Sequence, residues 1–282
     1  MSDTEPEARV RAPSKARRIA FTACTVLFGL AAAGGLGFGL VIGWSNTESG
    51  GIHRVHLLVF GILYGVLLAV PLLAMARRAD QKPSAFLQVV AIALAVLIAG
   101  LLSADSNYLY FALAMALGVA ILLALHPARR SVIHPKARPS GPMAAYALAC
   151  SVPLVGLGLT TAGLQRTGLA ADPHVSQDHW ATMAAMAFGL VLVGLLASAR
   201  FRGWLLTAWC AGFAGALYGI ASVVFRRFPG TDVPYPGSEG TVWGILAVLA
   251  GLGFVALAEW EARRAAAQVV ADVPSGAVVG GS

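Results

Sequence analysis

Charge is scarce in this sequence: Asp, Glu, Lys and Arg together make up 12% of its 282 residues, roughly half the share usual in soluble domains. With a mean hydropathy of +0.75, such a chain has too little polar surface to cover a water-soluble globule. Cysteine is scarce too. Cys24, Cys150 and Cys210 all lie within apolar runs, which excludes the disulfide framework of a small secreted domain and leaves them as small buried apolar residues. The sequence also lacks a nucleophile elbow, a phosphate-binding loop, HExxH and paired CxxC, so no motif announces a reaction and an enzyme is not expected. The interiors of the apolar runs are nearly bare of ionisable groups: Gln88 is the most polar side chain well inside one, and Asp105, Glu239 and Glu259 stand at ends. That bareness argues against a proton-coupled pump, whose relay carboxylates sit in mid-membrane.

What the chain does have is apolar length. Runs cover residues 19–43, 55–76, 85–103, 107–125, 143–163, 179–199, 203–225 and 241–260, each close to the roughly 20 residues that cross a 30 Å hydrocarbon core. Lipid offers no hydrogen bonds to a backbone, so these runs are helices. The expectation is an all-α membrane protein with eight transmembrane helices. A disordered cytoplasmic arm (1–18), a first four-helix half (19–125), a cytoplasmic linker (126–142), a second four-helix half (143–260) and a disordered cytoplasmic tail (261–282) make up the chain.

The net charge of +7 sits in clusters between the runs, which argues for orientation signals rather than a nucleic-acid face. With the amino terminus inside, only Arg54, Arg166, Arg226 and Arg227 of the 20 Lys and Arg fall outside, the asymmetry of cytoplasmic termini. Arginine far outnumbers lysine, a bias of GC-rich bacteria that points to their cytoplasmic membrane. Trp44, Trp180 and Trp243 fall at outer ends and Trp204 and Trp260 at inner ends, as in an aromatic belt; Trp209 does not. Gly35, Gly39 and Gly43, Gly61 and Gly65, and Gly215 and Gly219 are spaced for close helix contact, and Pro71 and Pro153 are expected to kink their helices.

Sliding the chain on itself by 123 residues puts His56 on His179, Leu72, Leu73 and Ala74 on Leu195, Leu196 and Ala197, and Arg77 on Arg200. A four-plus-four repeat would make the halves parallel, about an axis along the membrane normal. Four histidines, His53, His56, His174 and His179, gather at the outer starts of the second and sixth runs, with Glu48, Asp172 and Asp178 beside them. Imidazole with carboxylate suits zinc, copper or iron, and imidazole is also an axial heme ligand. The competing reading is interfacial: the histidines meet water and headgroups, and Asp178 caps the sixth helix. His126 and His134 precede prolines on the inner side, and His126 suits a helix C-terminus. The segment RRFPGTDVPYPGSEG, 226–240, reads either as a lid over the histidines or as a loop whose Arg226 and Arg227 meet lipid phosphates.

GGIHRVHLLVFGILYGVLLA (50–69) and FLQVVAIALAVLIAGLL (86–102) resemble heme A synthase, a family of eight-helix, four-plus-four proteins with histidine pairs that bind heme in each half. The resemblance implies a heme role for His53 with Arg54 and for His179; the fourth and eighth runs, however, carry no outer histidine. LQRTGLAADPHVSQDHWATMAAMAF and TVWGILAVLAGLGFVALAEWEARR resemble multi-pass membrane proteins of GC-rich bacteria, a likeness that implies no activity. Three functions stay open: a structural or accessory protein working with a membrane partner or as a homo-oligomer, a heme- or metal-binding redox protein, and a carrier for an apolar or lipidic solute. The orientation is testable. A cysteine placed at Arg166 should react with an impermeant maleimide on intact cells and one at Arg129 only after permeabilisation; labelling of both from one side would contradict it.

Overall fold

The structure, a computed structural model, describes residues 14–45, 53–227, 232 and 236–271; Glu48, the arm up to residue 13 and the tail from residue 272 lie outside the described residues. Among those described, eight helices are long and apolar enough to cross a membrane: Lys15–Ser45, Arg54–Met75, Pro83–Ser103, Ser106–Leu125, Gly141–Thr167, His179–Ser198, Trp204–Val224 and Gly240–Ala271. No strand occurs among the described residues. Large apolar side chains such as Leu113, Val152 and Leu249 point outward, 62–75% exposed, which in a chain of this composition is the face for lipid.

Helix boundaries depart from expectation at both ends. Ser14 accepts from the N–H of Arg17 and starts the first helix at Lys15, so the last residues of the expected arm are helical. The eighth span runs to Ala271, so residues 261–271 are helix and not tail. Glu261 anchors the extension: it is buried and accepts from Ser140 Oγ and from Arg200 Nη1, each at 3.0 Å. The first span also breaks, with Lys15–Gly34 and Gly39–Ser45 joined by a turn where Gly34, Gly35 and Gly37 lower helix propensity. Trp209, out of place in an aromatic belt, donates its Nε1–H to Glu259 at 2.8 Å.

Lipid tails are as apolar as leucine, so close approach must hold the helices together. The first span crosses the second at Gly39 and Gly61: a Cβ on Gly39 would strike the Leu57 carbonyl, and one on Gly61 the Leu40 backbone nitrogen. Gly219 of the seventh span and Gly244 of the eighth meet the same way, each Cβ position 2.5–2.6 Å from the other's carbonyl oxygen. Gly35 and Gly215 make no such approach.

Neither proline breaks its span. Pro153 sits within the continuous helix Gly141–Thr167. Before Pro71 the second span winds as a π-helix over Gly61–Ala69. Pro71 has no N–H for the carbonyl of Leu67, four residues back, and Gln88 Nε2 donates to that oxygen at 2.9 Å. The most polar residue inside a span is therefore a backbone partner, consistent with the cost of an unmet carbonyl in lipid.

The basic end uses its cations as helix caps. Arg17 donates to the carbonyls of Ala124, Leu125 and His126 at 2.8–3.2 Å, and Lys82 Nζ donates to Ala74 O at 2.6 Å, both at helix C-termini where positive charge is favoured. His126 does not play that part. It is buried edge-on to Phe21 and Phe86, and burial together with the Arg17 guanidinium pushes its imidazole down to about 4.

The first four spans pack in a ring, each on the next and the first on the fourth; the last four repeat the arrangement, with the fifth on the eighth. The rings join through the second and third spans against the sixth and seventh, and the third also packs on the fifth. Exchanging the rings leaves these relations unchanged apart from that last contact, which the seventh and first spans do not match. A residue on a two-fold axis meets its own equivalent, and two pairs at the 123-residue offset do so: Ser84 Oγ bonds Thr207 Oγ1 at 2.8 Å near the basic end, and His56 stacks on His179 at the other end, 4.7 Å between centroids and 15° between planes. The second and sixth spans both begin at that end, so the halves are parallel.

Because the folded His126 titrates below its ordinary 6.5, its contribution to stability is present above about pH 6.5 and lost as pH falls toward 4. His126→Phe, which keeps the ring contacts and cannot be charged, should flatten part of that acid decline in thermal melts of detergent-solubilised protein. Parallel curves for the two proteins would contradict this.

Candidate functional site

Two helix starts and one loop build the histidine face. His53 stands just before the helix Arg54–Phe60, and His56 lies in its first turn. His179 opens the sixth span. His174 comes from the loop between the fifth and sixth spans, where Asp172 caps the short turn Pro173–Ser176 by accepting from the His174 N–H. The structure brings all four histidines together: centroids lie 5.0 Å apart for His53 and His174, 4.8 Å for His53 and His179, 4.9 Å for His56 and His174, and 5.8 Å for His174 and His179. One nitrogen from each of His53, His174 and His179 falls within 4.8 Å of the others.

Each ring keeps at least one buried nitrogen with no hydrogen-bond partner: His53 Nδ1, both nitrogens of His56, His174 Nε2 and His179 Nδ1. Buried polar atoms are ordinarily paired; five unpaired nitrogens gather in this cluster, where each neutral ring offers one lone pair. Asp172 Oδ1 bonds His174 Nδ1 at 2.9 Å, which assigns the proton to Nδ1 and leaves the Nε2 lone pair free, the carboxylate–histidine arrangement of metal ligands. Those bonds from His174 hold the Asp172 carboxyl below its usual range. Burial and the neighbouring His174 hold His53 below the ordinary imidazole value, favouring the neutral ring that ligates. Trp180 stands edge-on to His56, and Phe60 edge-on to His179.

Asp178 occupies the cap position of the sixth span, but its side chain caps nothing. Its left-handed backbone (φ 55°) turns the carboxyl to Asp105 instead, and burial with this carboxyl–carboxyl contact raises it to about 6. The Asp178 carbonyl accepts from Thr182 Oγ1, Thr182 Oγ1 accepts from Tyr108, and Tyr108 bonds Tyr64, in steps of 2.9–3.0 Å. This chain borders a cavity of about 460 Å³ that reaches His179, Phe60 and Asn107.

Sequence reasoning missed three contributors. Gln165 is buried; its Nε2 donates to Asp105 Oδ2 at 2.9 Å and Val175 O at 2.8 Å, while its Oε1 accepts from Ala181 N, so one amide ties the His174 loop to the fourth and sixth spans. Met183 lies one turn beyond His179 and reads in sequence as ordinary apolar filling. Gly237, in the segment before the eighth span, lies against His56, so the described part of that segment covers the cluster, while Arg227 pairs with Asp232 at 2.6 Å.

A bis-imidazole heme does not fit these residues. Each of His53 and His56 lies against both His174 and His179, and those two lie against each other, with no plane for a macrocycle within any of these pairs, and the apolar cavities inside the two helix rings are lined by no histidine. No family model, curated protein or solved structure matches the chain. Gln165→Leu strips three groups of their partner and should lower the unfolding free energy by about 2–4 kcal/mol while increasing proteolysis at residues 168–178. An unchanged cleavage pattern would show that Gln165 does not hold the loop.

Proposed function

We propose that this polytopic membrane protein binds a transition-metal ion through His53, His56, His174 and His179 and serves as an accessory protein without catalytic activity of its own. In this reading it sits in the bacterial cytoplasmic membrane with both termini in the cytoplasm and the histidine face outside. The supporting observation is the convergence of four imidazoles, His56 and His179 buried and His53 and His174 half-buried, each with a buried nitrogen that has no protein partner. Three of them, His53, His174 and His179, bring one nitrogen each within 4.8 Å of the others, and a carboxylate orients His174. Imidazole donors suit zinc, copper, iron and nickel. The polar network of Asp105, Asp178 and Gln165 supports the loop that carries one ligand.

A carrier for an apolar solute is the second reading. It is favoured by one apolar cavity inside each ring, about 320 Å³ around Phe28, Leu68 and Phe111 and about 210 Å³ around Cys150, Leu154 and Phe254. Solute flux in proteoliposomes would support it.

Purified protein equilibrated with Co(II) and desalted should retain one ion per chain, with the visible absorption of an imidazole-bound site. His56→Ala with His179→Ala should abolish retention, and Asp172→Ala should weaken it by about 10–100-fold. Stoichiometric retention by the double variant, or retention of neither Co(II) nor Cu(I) by the parent, would contradict the reading.

A further inference from the structure

We infer that the ion at the histidine cluster is copper in its Cu(I) state, with the thioether of Met183 as a further donor; this rests on the metal-binding reading above. Met183 is fully buried and follows His179 by one helical turn, so its side chain shares a face with that histidine. Its position is fixed from the opposite side. A Cβ built on Gly237 would lie 3.0 Å from Met183 Sδ, 3.1 Å from His56 Cε1 and 3.4 Å from His56 Nε2. A sulfur and an unpartnered imidazole nitrogen therefore flank one small space, closed by a residue without a side chain. Gly237 has φ +80°, a conformation open chiefly to glycine, and its carbonyl accepts from Tyr218 at 3.0 Å.

Donor chemistry separates the candidate ions. Thioether sulfur is soft and favours Cu(I), whereas zinc, iron(II) and nickel(II) gain little from it beside imidazole. Among the described residues no anionic group is left to ligate: the Asp172 carboxylate is engaged by His174 Nδ1, and the three cysteines lie elsewhere, without disulfides. A buried charge without anionic ligands is costly, and because that cost grows as charge squared, a monovalent ion pays about a quarter of the cost of a divalent one. Imidazoles and one thioether, all uncharged, thus suit a monovalent ion.

The test is an anaerobic Cu(I) competition against bicinchoninate, paired with a Co(II) titration, on the full-length protein in detergent. Met183→Leu, close in volume, should weaken Cu(I) by at least 10-fold and change Co(II) by less than about 3-fold. Copper K-edge absorption of the parent should show a sulfur scatterer besides nitrogen, a readout independent of the variant. Co(II) binding with a nitrogen-only copper shell, or with Cu(I) affinity unmoved by Met183→Leu, overturns the copper inference and leaves the metal site standing. Failure to bind either ion overturns the metal-binding reading itself.

Discussion

Two contacts lie on the long axis of this bundle, Ser84 with Thr207 near one end and His56 with His179 at the other. Each joins a residue to its equivalent in the other half, and together they hold two four-helix rings in parallel register. The register has chemical consequences. It brings two helix starts to one place, so each histidine faces its counterpart, and it leaves a gap that His53, the His174 loop and Gly237 fill.

The forces that keep this arrangement are those available in lipid. With no hydrophobic drive between helices, stability depends on close backbone approach and on polar groups that find partners. Gly39 with Gly61 and Gly219 with Gly244 provide the first. The second accounts for nearly every polar residue inside the bundle: Gln88 serves the carbonyl that Pro71 cannot, Arg17 and Lys82 close helix ends, and Glu261 holds Arg200 and Ser140. Among the described residues four other buried polar atoms lack a partner, Gln88 Oε1, His126 Nε2, Arg200 Nε and Ser222 Oγ, but they occur singly, whereas five unpaired imidazole nitrogens gather in one cluster, and that concentration is the reason to assign the cluster a ligand.

Much of this was legible in the sequence, because hydropathy and charge asymmetry are properties of segments and survive without knowledge of packing. The eight spans follow from run length, and the placement of His56 and His179 at one depth from the 123-residue offset, whereas their stacking does not. Contributors that depend on a neighbour were not legible. Met183 looks like any methionine in an apolar helix, Gly237 like any loop glycine, and Gln165 like the polar end of a span; each gains its meaning from a residue far away in the chain. Asp178 was misread for the same reason, since a cap position suggests a capping side chain until Asp105 draws it away. The end of the eighth span was read short because charge suggests water, whereas Glu261 and Arg200 neutralise one another.

A symmetric scaffold carrying an asymmetric site fits the functional reading, since only the second half supplies the loop with His174 and the methionine, and only the first supplies His53. The axis is therefore the claim to test. With Cys24, Cys150 and Cys210 replaced by alanine, a protease site in the 126–142 linker and cysteines at positions 84 and 207, oxidation followed by cleavage should leave the halves joined on a non-reducing gel. Separation of the halves under those conditions would contradict the two-fold arrangement and, with it, the assembly of the histidine site.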